Sequence, residues 1–384
     1  MKSTPGSELF VKPVWIVAAK RTPQGRFLGG LSRHTAVDLA VAAGRAALSD
    51  IDPAAIDGVI VGNVLAAGAG MNIARQVGIG LGLPVTTPAF TVNMMCASGM
   101  QAVLLAAQAI RAGDARMVLC GGTESMSNAP HLLPRSRTGI KLGDGVLVDS
   151  ILRDGLCDAF GAGHMALTAE VLADRYAISR AAADTFALRS QTRCAAAVAA
   201  GRFHDEIVSV AGLSADEHPR ADTSLAGLAA LPAAFRDGGT VTAGNASGVN
   251  DGAAMLVVCD PDHGRTCGLE PLAVITAAAT VGCEPAAMGL GPVHAVRRLG
   301  LDLADCDAIE LNEAFATQAL ACIRELALDE SRVNPHGGGI ALGHPLGATG
   351  ARLLVHLAHS RPRRGLAALC VGGGMGAAAV VERP

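Results

Sequence analysis

Aromatic residues are scarce in this chain: they make up 3% of its 384 residues, with one tryptophan and one tyrosine. Against them stand 47 glycines, which favour tight turns and small-residue packing over an aromatic-rich sandwich. Charge is also sparse, at 17% of residues against 50% hydrophobic. Disorder needs the opposite balance, so a compact globular protein is expected. A formal net charge of −3 and scattered Lys and Arg leave no electrostatic footprint for nucleic acid. The ten cysteines form no Cys-x-x-Cys pair and no regular spacing, which excludes a disulfide scaffold and points to free thiols in a reducing cytoplasm. From Met1 to Lys20 the only apolar run, Val14 to Ala19, is too short for a signal-peptide core.

Other absences narrow the function. Gln76 to Ile110 has no Asp, Glu, Lys, Arg or His over 35 residues. Pro84, Pro88, Thr86, Thr87, Thr91 and Asn93 interrupt it, whereas a membrane span needs about 20 apolar residues in a row. A loop, a strand and a buried helix are expected there, and no membrane contact. There is no Walker-type loop and no Gly-x-Ser-x-Gly elbow. Gly78-Ile79-Gly80-Leu81-Gly82 resembles half a dinucleotide loop but lacks the strand–turn–helix context and a later acid. His356 and His359 lie three apart with no third ligand, so no metal site is expected.

The length calls for two or more packed units, and the chain repeats itself at a spacing of 250 residues. Asp52 and Asp57 recur as Asp302 and Asp307, Leu119-Cys120 as Leu369-Cys370, and Gly122 as Gly372. Ile60 to Asn63 align with Glu310 to Glu313. Short apolar strands (Val14–Ala19, Gly58–Val61, Met117–Cys120, Ala308–Leu311, Leu366–Val371) alternate with helical stretches. The helices include 35–48 and 181–200, with Ser179 as an N-cap for the second. Two related α/β halves follow, with mainly parallel sheets covered by helices. Residues 1–120 plus 251–270 form the first half and 271–384 the second, with 121–250 inserted between them as a loop domain over the site.

Four segments could carry chemistry. Cys96, in Asn93-Met94-Met95-Cys96-Ala97-Ser98-Gly99, falls just before a long apolar helix. Unpaired N–H groups at such a terminus favour a thiolate, although a cysteine standing alone is more often a small buried hydrophobe. His344 lies in the glycine-rich Asn334–Gly350 run, within two residues of the position that matches Cys96 in the repeat. A Cys and a His at matching ends of two halves would meet as a nucleophile pair. Cys370 ends a strand before Gly372-Gly373-Gly374, at the sheet edge where ligands of α/β proteins sit. Its counterpart Cys120 lacks the glycine run and reads as structural. Asn312, after the strand 308–311, could hold a water or a carbonyl oxygen, or cap a helix.

Together these residues resemble the thiolase family, from about Pro13 to the C-terminus. Asn93-x-x-Cys96-x-Ser98-Gly99 looks like its nucleophile motif, and Asn312-Glu313-Ala314-Phe315, Gly343-His344-Pro345 and Cys370-x-Gly372-x-Gly374 look like its other three. The resemblance implies a five-layer αβαβα fold and an acetyl-CoA C-acetyltransferase that condenses two acetyl-CoA to acetoacetyl-CoA through acyl-Cys96, or runs the reverse thiolysis. His344 would deprotonate Cys96, and the N–H groups of Cys96 and Gly372 would hold the thioester oxygen, at roughly 3–4 kcal/mol per donor. His344 and a water on Asn312 would hold the second thioester. Cys370 would remove the α-proton, a task suited to a thiol pKa near ~8.5.

By motif, the resemblance assigns coenzyme A contacts to His164, Met165, Ser247, Leu156, Arg220, Phe235, Ala243, Ala314 and Phe315. Coenzyme A thioesters are then substrates and no resident cofactor is expected. Ser125 to Gly145 resembles the family's tetramer-forming loop, so a homotetramer built as a dimer of dimers is expected. The chain departs from the pattern at Met94-Met95, often basic in relatives, in a shortened 207–232 stretch, and at Gly227, often Ser. These departures fall on the adenine and 3′-phosphate side of the site. The alternatives are a 3-ketoacyl-CoA thiolase for longer or aromatic-derived chains, a decarboxylating condensing enzyme, which would rely on two histidines and against which Cys370 argues, and a catalytically silent lipid carrier.

Overall fold

The computed structural model describes residues 12–384. The first eleven residues of the expected N-terminal half lie outside the described residues. The chain opens with β1 (Val14–Arg21), the two-residue β2 (Gly25–Arg26), α1 (Ala36–Ala47), β3 (Gly58–Gly62), α2 (Ile73–Gly80), β4 (Ala89–Val92), α3 (Ser98–Ala112) and β5 (Met117–Ser125). A small ribbon of β6 (His131–Leu132) and β7 (Val148–Asp149) follows, then α4 (Met165–Arg175), α5 (Arg180–Ala199) and α6 (Leu225–Ala229). Next come β8 (Asn250–Cys259), α7 (Pro261–Thr266), β9 (Ala273–Gly282) and α8 (Gly291–Leu299). The chain ends with β10 (Ala308–Leu311), α9 (Ala316–Glu325), α10 (Gly339–Leu342), α11 (Leu346–Ser360), β11 (Arg364–Val371) and β12 (Met375–Glu382).

Local rules place several of these boundaries. Thr35 and Ser179 cap α1 and α5 by accepting the N–H of Asp38 and Ala182. Of the stretch expected as loop, strand and buried helix, residues 76–80 instead complete α2, begun by Asn72, whose side chain accepts from the Arg75 N–H; a loop at 81–88, β4 and α3 then follow in the expected order. The 250-residue repeat appears in the backbone as well. Asp52 and Asp302 each cap a short 3₁₀ turn, and Asp57 and Asp307 each accept an N–H at the start of the neighbouring strand segment.

Strand order along the main sheet is β10-β11-β12-β9-β1-β8-β5-β3-β4. The first half (β3, β5, β8, β1) and the second (β10, β11, β12, β9) have the same order and the same directions, and they join through β1 and β9. Val333 even bridges Ile309 in parallel where β4 pairs with β3 in the first half. The expectation of mainly parallel sheets is corrected. Only β3–β4, β3–β5 and β10–β11 run parallel; the other pairings along the sheet are antiparallel. Parallel pairing needs a long crossover. The tight turn at 372–374 instead returns β12 directly against β11.

Period-two alternation separates the layers. Val59, Val61, Met117 and Leu119 face α1 and α2, whereas Ile60, Val118 and Cys120 face α3 and α11. In the second half Ala367, Leu369 and Val371 face the same central pair, whereas Leu366 and Ala368 face α8 and α9. Five layers result, with α3 and α11 at the centre. A helix apolar on every side belongs there: α11 buries all but its last two residues. The two central helices cross at small residues. A Cβ on Gly99 would lie 2.7 Å from the Gly347 carbonyl oxygen, and one on Gly350 would lie 2.6 Å from the Met100 nitrogen.

A buried ion network anchors α11. Glu206 accepts from Arg21 Nε at 2.7 Å and meets His356 Nδ1 at 2.9 Å. His356 Nε2 lies 2.9 Å from His336 Nδ1, and Arg21 also holds Asp216. His359 donates to the Ala19 carbonyl at 2.7 Å. Among the described residues no group of His, Cys, Asp and Glu is arranged to hold a metal, and no helix is long and apolar enough to cross a membrane.

Burial pushes the Glu206 carboxyl up, but the charges of His356 and Arg21 together outweigh it and bring its pKa down to about 2. A folded-state pKa below the ordinary one gives stability that is present above the ordinary value of 4.5 and is lost as pH falls toward 2. Glu206→Gln leaves Arg21 and His356 short of a partner and is expected to cost about 3–5 kcal/mol at pH 7. That deficit should shrink in acid. Urea denaturation of both proteins at pH 7 and pH 3 checks both points.

Candidate active site

The nucleophile turn is built by its own motif. Asn93 Oδ1 accepts the Met95 N–H at 3.0 Å. Ser98 Oγ accepts the Met94 N–H at 2.9 Å and donates to the Met95 carbonyl at 2.6 Å. Between these clamps Met95 takes a left-handed φ of 48°, which a side chain adopts only when its surroundings hold it there. Cys96 follows, two residues before α3, and packs with Met95 and Leu156 against Val64, Leu65, Met126 and Leu346. Leu346 is the first residue of α11, so the two central helices bring their N-termini to one place.

Gly372 lies on the turn from β11 to β12, whose Gly373 and Gly374 take φ of +85° and +82°. A Cβ at Gly374 would sit 2.5 Å from the Cys283 carbonyl oxygen, so only glycine turns the chain here. The Gly372 N–H points at the Cys96 sulfur, as does the N–H of Cys96 itself. Cys370, at the end of β11, is close enough for its charge to couple to Cys96. It is buried against Met165, Ala314, Phe315 and Met288.

His344 precedes α11 and is buried. Its N–H donates to Asn250 Oδ1 at 2.9 Å. Nδ1 lies 2.6 Å from Thr349 Oγ1, and that hydroxyl donates to the Pro345 carbonyl at 2.9 Å. With its hydrogen so used, Thr349 accepts from Nδ1–H, which leaves Nε2 bare. Nε2 faces Asn312 Nδ2 at 3.4 Å. Asn312 does not cap α9, whose cap position is Phe315, and among the described residues its buried Oδ1 meets no donor.

Charge states differ from the sequence expectation. The helix terminus does not yield a resting thiolate at Cys96: burial pushes this thiol up to about 11, against the pull of the Gly372 and Cys96 N–H groups. Burial drives Cys370 well above an ordinary thiol, and the neighbouring Cys96 adds to this, so it is not poised near neutrality. Burial, helped by the Arg352 charge, lowers His344 to about 3. The resting site therefore holds two thiols and a neutral imidazole with an unprotonated Nε2. In general a thiol that meets a neutral imidazole can pass its proton to nitrogen as a bond forms, without a charge standing beforehand.

The residues assigned to coenzyme A divide into groups. Met165, Ala314 and Phe315 gather at Cys370, and the Ser247 N–H donates to the Ala314 carbonyl at 2.9 Å. His164 caps α4 through Nδ1 and stacks on Phe235 with ring centroids 4.5 Å apart. Met165 and Gly372 line one cavity of about 510 Å³ together with Asn93, Met95 and Phe160. Arg220 and Ala243 line another of about 240 Å³ with His218, Gly227 and Ala246. The sequence reading passes over Thr349, Asn250 and Glu124, all of which touch the His344 segment. Thr349 lies inside the glycine run already singled out. Asn250 and Glu124 stand in strands, where side-chain bonds to distant loops leave no local pattern.

Residues 14–262 match the family described as "Thiolase, N-terminal domain", and residues 269–383 match "Thiolase, C-terminal domain". The chain belongs to the thiolase family. Acetyl-CoA acetyltransferase of Chromobacterium violaceum is 51% identical over 97% of this chain and 100% of its own length. The crystal structure of human mitochondrial 3-ketoacyl-CoA thiolase in complex with CoA superposes with a TM-score of 0.95 at 43% identity, covering 98% of this thiolase and 99% of that chain. The Bacillus anthracis acetyl-CoA acetyltransferase structure gives 0.94 at 41% identity, covering 98% and 100%. The five-layer architecture expected from the motifs is the fold these neighbours share.

Proposed function

We propose that this thiolase is an acetyl-CoA C-acetyltransferase acting by a ping-pong mechanism through acetyl-Cys96. The observation that carries the reading is the Gly372 N–H at the sulfur of Cys96, with Cys370 beside it. In the first half-reaction His344 Nε2 takes the Cys96 proton while sulfur attacks the thioester carbon. The N–H groups of Cys96 and Gly372 receive the oxyanion. The intermediate collapses to acetyl-Cys96 and expels the coenzyme A thiolate, which Cys370, protonated at rest, neutralises. That donation leaves Cys370 a thiolate, and this supplies the base that its raised resting pKa would otherwise deny. In the second half-reaction it removes the α-proton of a new acetyl-CoA. The thioester oxygen of that acetyl-CoA is held by His344, now protonated at Nε2, and by a water on Asn312. The carbanion attacks acetyl-Cys96, acetoacetyl-CoA leaves, and His344 returns its proton to sulfur. Thiolysis is the same path reversed.

His164, Met165, Ser247, Leu156, Arg220, Phe235, Ala243, Ala314 and Phe315 are proposed to line the path of coenzyme A, itself a substrate. Met165 beside Gly372 supports the short-chain choice: a Cβ on Gly372 would already lie 3.4 Å from its sulfur. Exposed Leu133, Ile140, Leu142, Val146 and Leu147 between β5 and α4 support a homotetramer, in keeping with cytoplasmic lipid metabolism. Rates of thiolysis across 3-oxoacyl-CoA lengths test the substrate class. The C4 substrate should exceed C8 by about tenfold or more, since each extra methylene in a filled pocket costs about 1–3 kcal/mol. A preference for C8 would make the chain a longer-chain thiolase.

A further inference from the structure

Glu124 takes no part in the chemistry above, yet it is fully buried on β5 and spans both halves of the site. Its Oε1 accepts from Asn63 Nδ2 at 2.9 Å and the Leu65 N–H at 3.1 Å. Its Oε2 accepts from the Val64 N–H at 3.1 Å and the Gly347 N–H at 2.8 Å. Residues 63–65 follow β3, and Val64 and Leu65 form part of the wall against which Cys96 packs. Gly347 is the second residue of α11, three after His344.

We propose that Glu124 is a positioning residue: its carboxylate clamps the loop that walls Cys96 to the first turn of the helix that carries His344, and so fixes the nucleophile relative to its base. This rests on the acyl-transfer reading above.

Three observations support the clamp. Burial pushes the Glu124 carboxyl up to about 7, and the groups that pull it back are the N–H groups of Leu65, Gly347 and Val64 and the amide of Asn63, not a cation. A buried carboxylate without a cationic partner is costly unless its donors are held in place, and donors from two loops hold each other through it. A helix N-terminus also favours the anion. Glu313 makes a comparable set of bonds on the other side of His344, to Ser190, Asn334 and the Ile340 N–H, but it does not reach the Cys96 side. With Asn250 on the His344 N–H itself, the segment 338–347 is held at both ends and in the middle.

Glu124→Gln turns an amide NH₂ toward N–H donors, and Glu124→Asp keeps the charge one methylene short of them. Each is expected to lower kcat for acetoacetyl-CoA thiolysis roughly 10- to 100-fold, as a misplacement of about 1 Å does. KM for acetoacetyl-CoA should stay within about twofold, with the melting temperature little changed in Glu124→Asp. Wild-type kcat in either folded variant overturns the clamp. So does a fall in melting temperature with kcat per folded chain unchanged, which would make Glu124 a stability residue. If Glu124→Gln does not fold, Glu124→Asp decides alone. Wild-type protein assayed beside them separates the two readings: no thiolysis there sinks the acyl-transfer proposal, whereas an active wild type with unaffected variants sinks only the clamp.

Discussion

Cys96→Ser should lower condensation and thiolysis by at least about 10⁴-fold, the scale on which a lost nucleophile acts in covalent catalysis. The substitution is nearly isosteric, and the Asn93 and Ser98 bonds that shape the turn do not involve the Cys96 side chain. The variant should therefore fold normally and keep its affinity for acyl-CoA. A hydroxyl needs a far stronger base than sulfur does, and the His344 imidazole, pulled down to about 3 by burial, is a weak one. Intact mass after incubation with acetyl-CoA gives the direct readout. Wild-type chain should gain one acetyl group, on Cys96, and the Ser variant none over the same minutes. Acetylation at another residue, or turnover near wild type, would remove Cys96 from the chemistry, whereas a wild-type chain that gains no acetyl group would favour the silent-carrier reading.

Cys370→Ala separates the two half-reactions. The Cys370 thiol is buried against Met165, Ala314 and Phe315, so the truncation leaves the Cys96 turn and the Gly372 N–H in place. Acetylation of Cys96 should persist, slowed by the loss of the acid that neutralises departing coenzyme A. Carbanion formation should fail, and overall condensation should fall by roughly 10²- to 10⁴-fold, the range for a lost general acid or base. Acetyl-enzyme should then accumulate on mixing with acetyl-CoA. Exchange of the acetyl-CoA α-protons with deuterated solvent, followed by NMR, should disappear with it. Exchange at the wild-type rate would assign the α-proton to another base.

How much of this was legible in the chain depends on the range of the interaction. The Asn93–Ser98 turn, the caps at Thr35 and Ser179, and the paired aspartates at 52 and 302 each rest on side-chain-to-backbone bonds between residues two to four apart. Residue types at fixed offsets announce them. Strand direction was less readable: an apolar run of five to ten residues looks the same whether its neighbour runs with it or against it. Sequence also passed over Glu124, whose partners lie some 60 and 223 residues away along the chain.

By itself the sequence determined which groups are candidates to react, their order, the two-fold repetition of the chain and its membership of the thiolase family. These are matters of residue identity and spacing. Only the tertiary structure decided the protonation of those groups: Cys96 raised to about 11, Cys370 raised well above an ordinary thiol, and His344 held neutral with Nε2 unprotonated. Desolvation and hydrogen bonding come from atoms that folding gathers out of separate elements, and no stretch of sequence contains them together.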